Sequence, residues 1–453
     1  MFEADDVVGG LARTVEFDGC RFDLGGHRFF TRLEPVERLW EELLGADLLT
    51  RPRLSRIYYR NRYFTYPLRA REIVGRLGIT EALLSFLSYL WSAGRRSRPS
   101  ESFEDWVTDR FGKRLYNAFF RSYTEKVWGI PGSEIRSEWA AQRIKNFSFW
   151  KAILSILHLR REHVTSLIEE FRYPRLGPGQ LWEALAARVE GLGVPVVRST
   201  RCVSVGHAGG RVVSIELADA ETGETREMPV EALFSSIPLP ELVLAFDPPP
   251  PEPVCDAARQ LRYRALCVVA LITTEPQPFP DNWIYLQDPG TRAGRVQNYG
   301  AWSEAMVRPQ TTCLGVEYFC FEDDPIWSMS DAEAVELAAR ELGAIGLIDP
   351  EKVEGGTKIN VSKAYPMYDR QYEAAVAVLR GYLSGFENLQ TFGRNGLHRY
   401  NNQDHSMWTA ALAVLNVVEG ARHDVWSVNT DPSYLEEHDA VPDADVHDPF
   451  TRG

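Results

Sequence analysis

The chain has 453 residues, 44% hydrophobic and 25% charged, with a formal net charge of −13. That composition is globular and excludes wholesale disorder, a collagen-like rod and a coiled coil; the acidic balance argues against a nucleic-acid partner. At about 150 residues per domain, the length allows about three domain-sized units or one interleaved fold.

Residues 1–31 predict a strand end, a glycine turn, a hairpin and a second glycine turn. LSRIYYRNRYFTYP (54–67) predicts two strands around Arg60-Asn61-Arg62. From 72 to 151 the periodicity is helical, and Ser102 with Asp105 forms a capping signal. The two apolar runs there, 79–94 and 147–159, carry Glu81 and Lys151 and are too short to span a bilayer, so no transmembrane segment is predicted. The loop Leu176-Gly177-Pro178-Gly179 leads into a helix over 180–190. Strands follow at 194–197, 201–205 and 211–217, with a Gly209-Gly210 turn, and a buried strand at 232–236 stops before Pro238. Residues 262–320 are strand-rich; 331–342, 372–383 and 406–420 read as helices, and an acidic, solvated tail follows Asn429. Six dispersed cysteines without a C-x-x-C pair predict free thiols and no metal site. With no basic and apolar leader after Met1, the expected location is cytoplasmic.

Three constellations carry chemistry. Glu3 before Gly9-Gly10 has the pattern of an acid that accepts ribose hydroxyls beside a close backbone approach, or of a surface acid before a turn. Gly25-Gly26-His27 lets backbone approach a flat ring system, although a histidine in a turn is commonly structural. The polar run from Gly393 to Ser406 enters an apolar helix, whose free N–H groups suit an anionic cofactor edge. The plainer alternative is an elaborate cap built on Asp404 or Ser406.

FEADDVVGGLART, FDLGGHRFF and GRNGLHRYNNQDHS resemble the FAD-binding segments of the amine oxidase and protoporphyrinogen oxidase superfamily. Within it the chain is most similar to UDP-galactopyranose mutases, through SFEDWVTDRFGKRLYNAFFRSYTEKVWGIP, FRYPRLGPGQLWEAL, ALFSSIPL and KAYPMYDRQY. GGH, KVWG and NQDHS in series make the likeness specific. It implies an α/β fold: a Rossmann-like FAD-binding domain (1–31, 171–247, 385–429), a helical subdomain (72–170) and a mostly antiparallel substrate-side sheet (32–71, 248–384), with the tail at 430–453. The family pattern places a strand and G-x-G-x-x-G loop ahead of FEADDVVGG, and a chain starting at Met1 is expected to lack them.

The resemblance also implies roles. Glu3 would hold the adenosine ribose, and Gly9, Gly10 and Arg13 the pyrophosphate. Val203 would touch adenine through its backbone, and Gly25, Gly26 and His27 would lie against the isoalloxazine ring. Gly393 and Arg394 would contact the ribityl-phosphate side, and Asn402, Gln403, Asp404 and Ser406 the pyrimidine edge. Arg399 matches an arginine that grips a substrate diphosphate; Arg295 stands near a second, with a spacing that departs from the mutases. The implied reaction is attack by the N5 of reduced FAD on the anomeric carbon of a nucleotide-linked or phosphorylated sugar, with NAD(P)H admitted as an external reductant. An FAD-dependent oxidase or desaturase on the same fold is the alternative, and a flavin-poor truncated chain without activity the second. Neither the oligomeric state nor the sugar follows from the sequence.

Overall fold

The computed structural model describes residues 1–66, 79–93, 101–137, 170–429 and Phe450. The predicted apolar run at 147–159 and, Phe450 apart, the acidic tail lie outside these residues.

A seven-stranded sheet dominates, in the order Val353–Pro366, Tyr263–Thr273, Thr312–Cys320, Arg295–Asn298, Trp283–Leu286, Ser55–Tyr59, Arg62–Thr65. Every neighbouring pair is antiparallel except Trp283–Leu286 with Ser55–Tyr59. CVVALITT reads as one apolar run because both faces of its strand are covered. Cys267, Val269 and Leu271 pack with Leu337 and Leu342 of the helix Asp331–Ala344, while Leu266, Val268 and Ala270 pack with Phe22, Tyr173 and Tyr299. The last hairpin turns at Arg60 and Asn61, both left-handed (φ 49° and 58°), the geometry that a two-residue hairpin requires.

A four-stranded sheet joins Phe246–Asp247, Thr200–Ala208, Arg211–Asp219 and Thr225–Pro229, with Gly209-Gly210 at the predicted turn. Parallel pairing occurs between Leu233–Ser235 and Leu389–Thr391, and at the Phe2–Val197 bridge. The architecture is α/β with mixed sheets.

Three predicted elements differ in detail. The strand at 194–197 reduces to the bridge at Val197, and the buried strand at 232–236 shortens to Leu233–Ser235, with Phe234 38% exposed. The last long helix begins at Gln403, not Ser406, and its cap is Asn402 in place of Asp404 or Ser406. Asn402 has extended backbone, and its N–H donates to His405 Nδ1 at 3.3 Å, so the ring at the third helical position satisfies the cap. Ser102 caps Phe103–Phe111 as predicted, accepting from the Asp105 N–H at 3.1 Å. All six cysteines are free.

Candidate active site

The hairpin strand Cys20–Asp23 delivers the chain into Gly25-Gly26-His27, which lies on one face of the large sheet. Gly25 has φ +129°, a conformation strained for any residue with a Cβ. A Cβ on Gly26 would come within 2.7 Å of Gln297 Nε2. Register places Trp283 opposite Gln297, Tyr285 opposite Arg295, and Arg295 opposite Glu317, so these side chains share that face. Glu317 is fully buried. Its carboxylate accepts from Arg295 Nε at 2.9 Å, Arg295 Nη2 at 2.5 Å and Gln297 Nε2 at 2.8 Å.

The opposing wall comes from the other end of the chain. Arg394 donates to the main-chain oxygens of Ala364 at 2.6 Å and Asn401 at 3.1 Å, and lies 4.0 Å from the Tyr400 ring centroid and 5.2 Å from that of Tyr365. His27 joins the walls. Burial holds its pKa down to about 3, and the Arg394 and Arg295 charges push the same way. It is therefore a neutral imidazole at physiological pH, with a buried Nδ1 that has no partner among the described residues.

The remaining predicted residues sort as follows. Gly9 (φ +104°) faces Trp182, whose Nε1 donates to Gln403 at 3.2 Å; Phe29 stacks on Trp40 at 3.6 Å, and Trp40 donates to Met407 Sδ at 3.2 Å. Through these contacts the N-terminal glycine segments reach the start of the last long helix, where Asp404 is buried and Ser406 Oγ donates to the Asn402 carbonyl. The Glu3 N–H donates to the Val197 carbonyl, and Arg13 pairs with Asp5 at 2.8 Å. Val203 sits at a register break between Cys202 and Ser204. Gly393 (φ +82°) donates its N–H to Thr409 Oγ1. Arg399 turns its guanidinium to the Trp426 carbonyl, whereas the two cations acting on His27 are Arg394 and Arg295.

Three residues were not singled out from the sequence. Glu317 left a signal, as the one acid inside CLGVEYFCF, since a carboxylate in a buried strand requires partners. Arg53 lies 5.2 Å from the Tyr66 centroid and 5.6 Å from that of Trp283, with no hydrogen-bond partner among the described residues. Asp23 is fully buried beneath the glycine loop, accepting from Tyr173 at 2.6 Å and Thr14 at 3.1 Å. Burial pushes its carboxyl up to about 7, against the two hydroxyls, which favour the anion.

An unfolded aspartate loses its proton near pH 4, so between about pH 4 and 7 the unfolded chain binds fewer protons at this site than the folded one. The contribution of Asp23 to stability therefore falls as pH rises through that window, by on the order of 4 kcal/mol. Asp23→Asn is expected to stay folded and to flatten that part of the Tm–pH curve; an unchanged slope would remove Asp23 as its source.

The model of the flavin containing amine oxidoreductase family matches residues 1–365. The chain belongs to this family. The family resemblance thus holds over the segments that carry GGH and KVWG, and the protein is a member of the FAD-dependent oxidoreductase superfamily. Its fold is similar to that of reduced UDP-galactopyranose mutase, with a TM-score of 0.82 at 20% identity over 95% of this chain and 92% of that one. A CLA-producing fatty acid isomerase from P. acnes shares the fold at a TM-score of 0.59 and 11% identity, over 92% of each chain. In sequence, this flavin-containing amine oxidoreductase is similar to coproporphyrinogen III oxidase of Mycobacterium tuberculosis, 24% identical over an aligned length of 400 that covers 84% of this chain and 83% of that protein. No helix among the described residues is long and apolar enough to cross a membrane.

Proposed function

We propose that this flavin-containing amine oxidoreductase acts on a nucleotide-linked or otherwise phosphorylated sugar, as a UDP-galactopyranose mutase-like enzyme. The observation that carries this conclusion is the convergence of the Arg295 and Arg394 guanidinium groups on neutral His27, in a chain of net charge −13. Arg394 is held by main-chain carbonyls, and Arg53 lies between aromatic rings without a hydrogen bond among the described residues. Guanidinium groups in a partly buried aromatic site favour an anionic ligand, because their N–H donors bond most strongly to phosphate or carboxylate.

The residues present fit FAD. Beside Gly10 a Cβ would meet nothing within 4 Å, and the strand register breaks at Val203. In this proposal Glu3 holds the ribose, Gly9, Gly10 and Arg13 the pyrophosphate, and Val203 the adenine. Gly25, Gly26 and His27 line the ring, Gly393 and Arg394 the ribityl-phosphate side, and Asn402, Gln403, Asp404 and Ser406 the pyrimidine edge. Segments 1–31, 171–247 and 385–429 then form the flavin side, and 32–71 with 248–384 the substrate side.

When bound, the flavin supplies through N5 either a nucleophile or a hydride acceptor. Neutral His27 presents a hydrogen-bonding ring nitrogen without placing a third cation between Arg295 and Arg394. Arg295 is fixed by Glu317, which holds it in one orientation toward a ligand on the sheet face. Arg399 is the diphosphate residue that the resemblance implies. To serve, it exchanges its bond to the Trp426 carbonyl, whereas Arg53 has no hydrogen bond among the described residues to exchange.

A second reading, an oxidase that removes hydride from a reduced substrate, is favoured by the likeness to coproporphyrinogen III oxidase. Turnover of a UDP-sugar panel and of coproporphyrinogen III separates the two. The mutase-like reading expects conversion of a UDP-sugar only after reduction by NAD(P)H or dithionite, without hydrogen peroxide; oxygen-dependent peroxide formation with coproporphyrinogen III alone would overturn it. Arg53→Met is expected to weaken nucleotide-sugar binding by about tenfold or more, the loss of a charge-assisted hydrogen bond, with flavin per chain unchanged. Unchanged binding would remove Arg53 from the site.

A further inference from the structure

KVWG closes the helix Arg121–Trp128, and each of its residues makes a contact outside that helix. The Val127 carbonyl accepts from Arg264 Nε at 3.2 Å, and the Trp128 ring lies 6.3 Å from that of Tyr365. Gly129 ends the helix at φ +68°, where a Cβ would come within 2.6 Å of Arg264 Nη1. The Lys126 ammonium is caged. It donates to the main-chain carbonyls of Leu286 at 2.8 Å, Ala293 at 3.0 Å and Asp288 at 3.1 Å, and Thr291 Oγ1 stands at 3.4 Å. An ammonium has three N–H donors, so the three carbonyls match it fully.

The caging loop, 287–293, joins the strand Trp283–Leu286, which carries Tyr285, to the strand that begins at Arg295. Its carbonyls turn to Lys126, while the N–H groups of Arg292 and Ala293 donate to the Glu341 carboxylate at 2.8 and 3.0 Å. The loop is clamped between a cation and an anion, each bonded to the matching end of the peptide dipole. The helix that carries Lys126 also carries Tyr123. The Tyr123 ring meets that of Tyr285 edge-on at 5.8 Å, and its phenol lies in the field of Arg295 and Glu317. Ser122, four residues before Lys126 on the same face, donates to the Gln287 carbonyl at 2.9 Å. With eight residues this helix is too short to be stable alone, so tertiary bonds set where Tyr123 stands. We propose that Lys126 is a positioning residue: by binding the loop 287–293 it holds Tyr123 against Tyr285 and Arg295, and so fixes this wall of the site. The role rests on the reading above only in that Arg295 faces a ligand.

Fluorine NMR of the full chain, labelled with fluorotyrosine and supplied with FAD, tests this, with the Tyr123 signal assigned through Tyr123→Phe. Arg295→Met should shift that signal, because it removes the charge beside the phenol. Lys126→Met, similar in length but without the ammonium, should shift and broaden it. The same variant should raise amide exchange at Arg292 and Ala293 about tenfold or more, since the loop carbonyls lose their donor. Lys126→Arg keeps the charge, but a planar fork cannot serve three converging carbonyls, so the signal should return only part of the way. Lys358 is the control: in the edge strand Val353–Pro366, its ammonium is held in the same manner by the carbonyls of Ile326, Trp327 and Met329. Lys358→Met should lower Tm too, yet leave the Tyr123 signal in place. A native Tyr123 signal in Lys126→Arg and in folded Lys126→Met would overturn the proposal. So would an equal shift in Lys358→Met, since the signal would then follow stability alone. No substrate enters either measurement, so this test and the substrate panel can fail separately.

Discussion

Glu317→Leu is expected to destabilise the protein by about 3–5 kcal/mol, because it strands the Arg295 guanidinium in a site where that side chain is only 18% exposed. Burial disfavours the arginine's charge, but the Glu317 carboxylate outweighs that penalty and drives its pKa well above the ordinary value. Removing the carboxylate also deprives Gln297 Nε2 of its acceptor. The double variant Arg295→Met, Glu317→Leu should recover most of the loss, since a buried pair replaced by apolar groups of similar volume is close to neutral. Its turnover should remain absent, because the cation and hydrogen-bond acceptor on the sheet face are gone. Urea melts of the two variants beside the native chain decide the first point. If the single and double variants lose the same stability, the pair is not the source.

Gly177→Ala is expected to cost about 3 kcal/mol, from backbone strain together with overpacking. Gly177 has φ +90°, and a Cβ there would stand 2.3 Å from Thr14 Oγ1 and 2.9 Å from Asp23 Oδ1. Two positions on, a Cβ at Gly179 would stand 2.6 Å from the Thr14 backbone nitrogen. The LGPG loop is thus a saddle over Thr14, and Thr14 in turn donates to Asp23. Gly177→Ala should loosen that carboxyl and the glycine loop that follows it, lowering Tm and flavin content together. Gly191→Ala is the control: nothing lies within 4 Å of its Cβ, and an alanine at the helix end should be neutral or stabilising by up to about 1 kcal/mol. Equal Tm values for the two variants would show that the saddle is not under steric load.

The sequence by itself determined whatever is settled within a few residues of chain. The turn at Arg60-Asn61, the Ser102 cap, the Gly209-Gly210 turn and the helix Tyr372–Leu383 all depend on local backbone preference and i to i+4 contacts, and all stand in the structure. The family was equally legible, because GGH, KVWG and NQDHS stand in series along the chain, a pattern read without a contact map. Even the helix starting at Gln403 was misjudged by only three residues, because the His405 ring, itself part of the helix, completes the cap.

Tertiary structure decided the partners. Asp23 meets Tyr173 across 150 residues and Tyr299 across 276, so its raised pKa is a property of burial that no local pattern announces. Glu317 was visible as a charge in an apolar strand, but that Arg295 answers it follows from strand register. Arg399 and Arg394, five residues apart, read alike in sequence; the loop sends one to the Trp426 carbonyl and the other over Tyr400 beside His27. The helix Ile79–Ala93 displays the division most clearly. Its apolar run was plain from composition, but that it turns Ser85 and Ser92 inward and meets Gly112 backbone to backbone at Tyr89 is a tertiary contact that no local pattern announces.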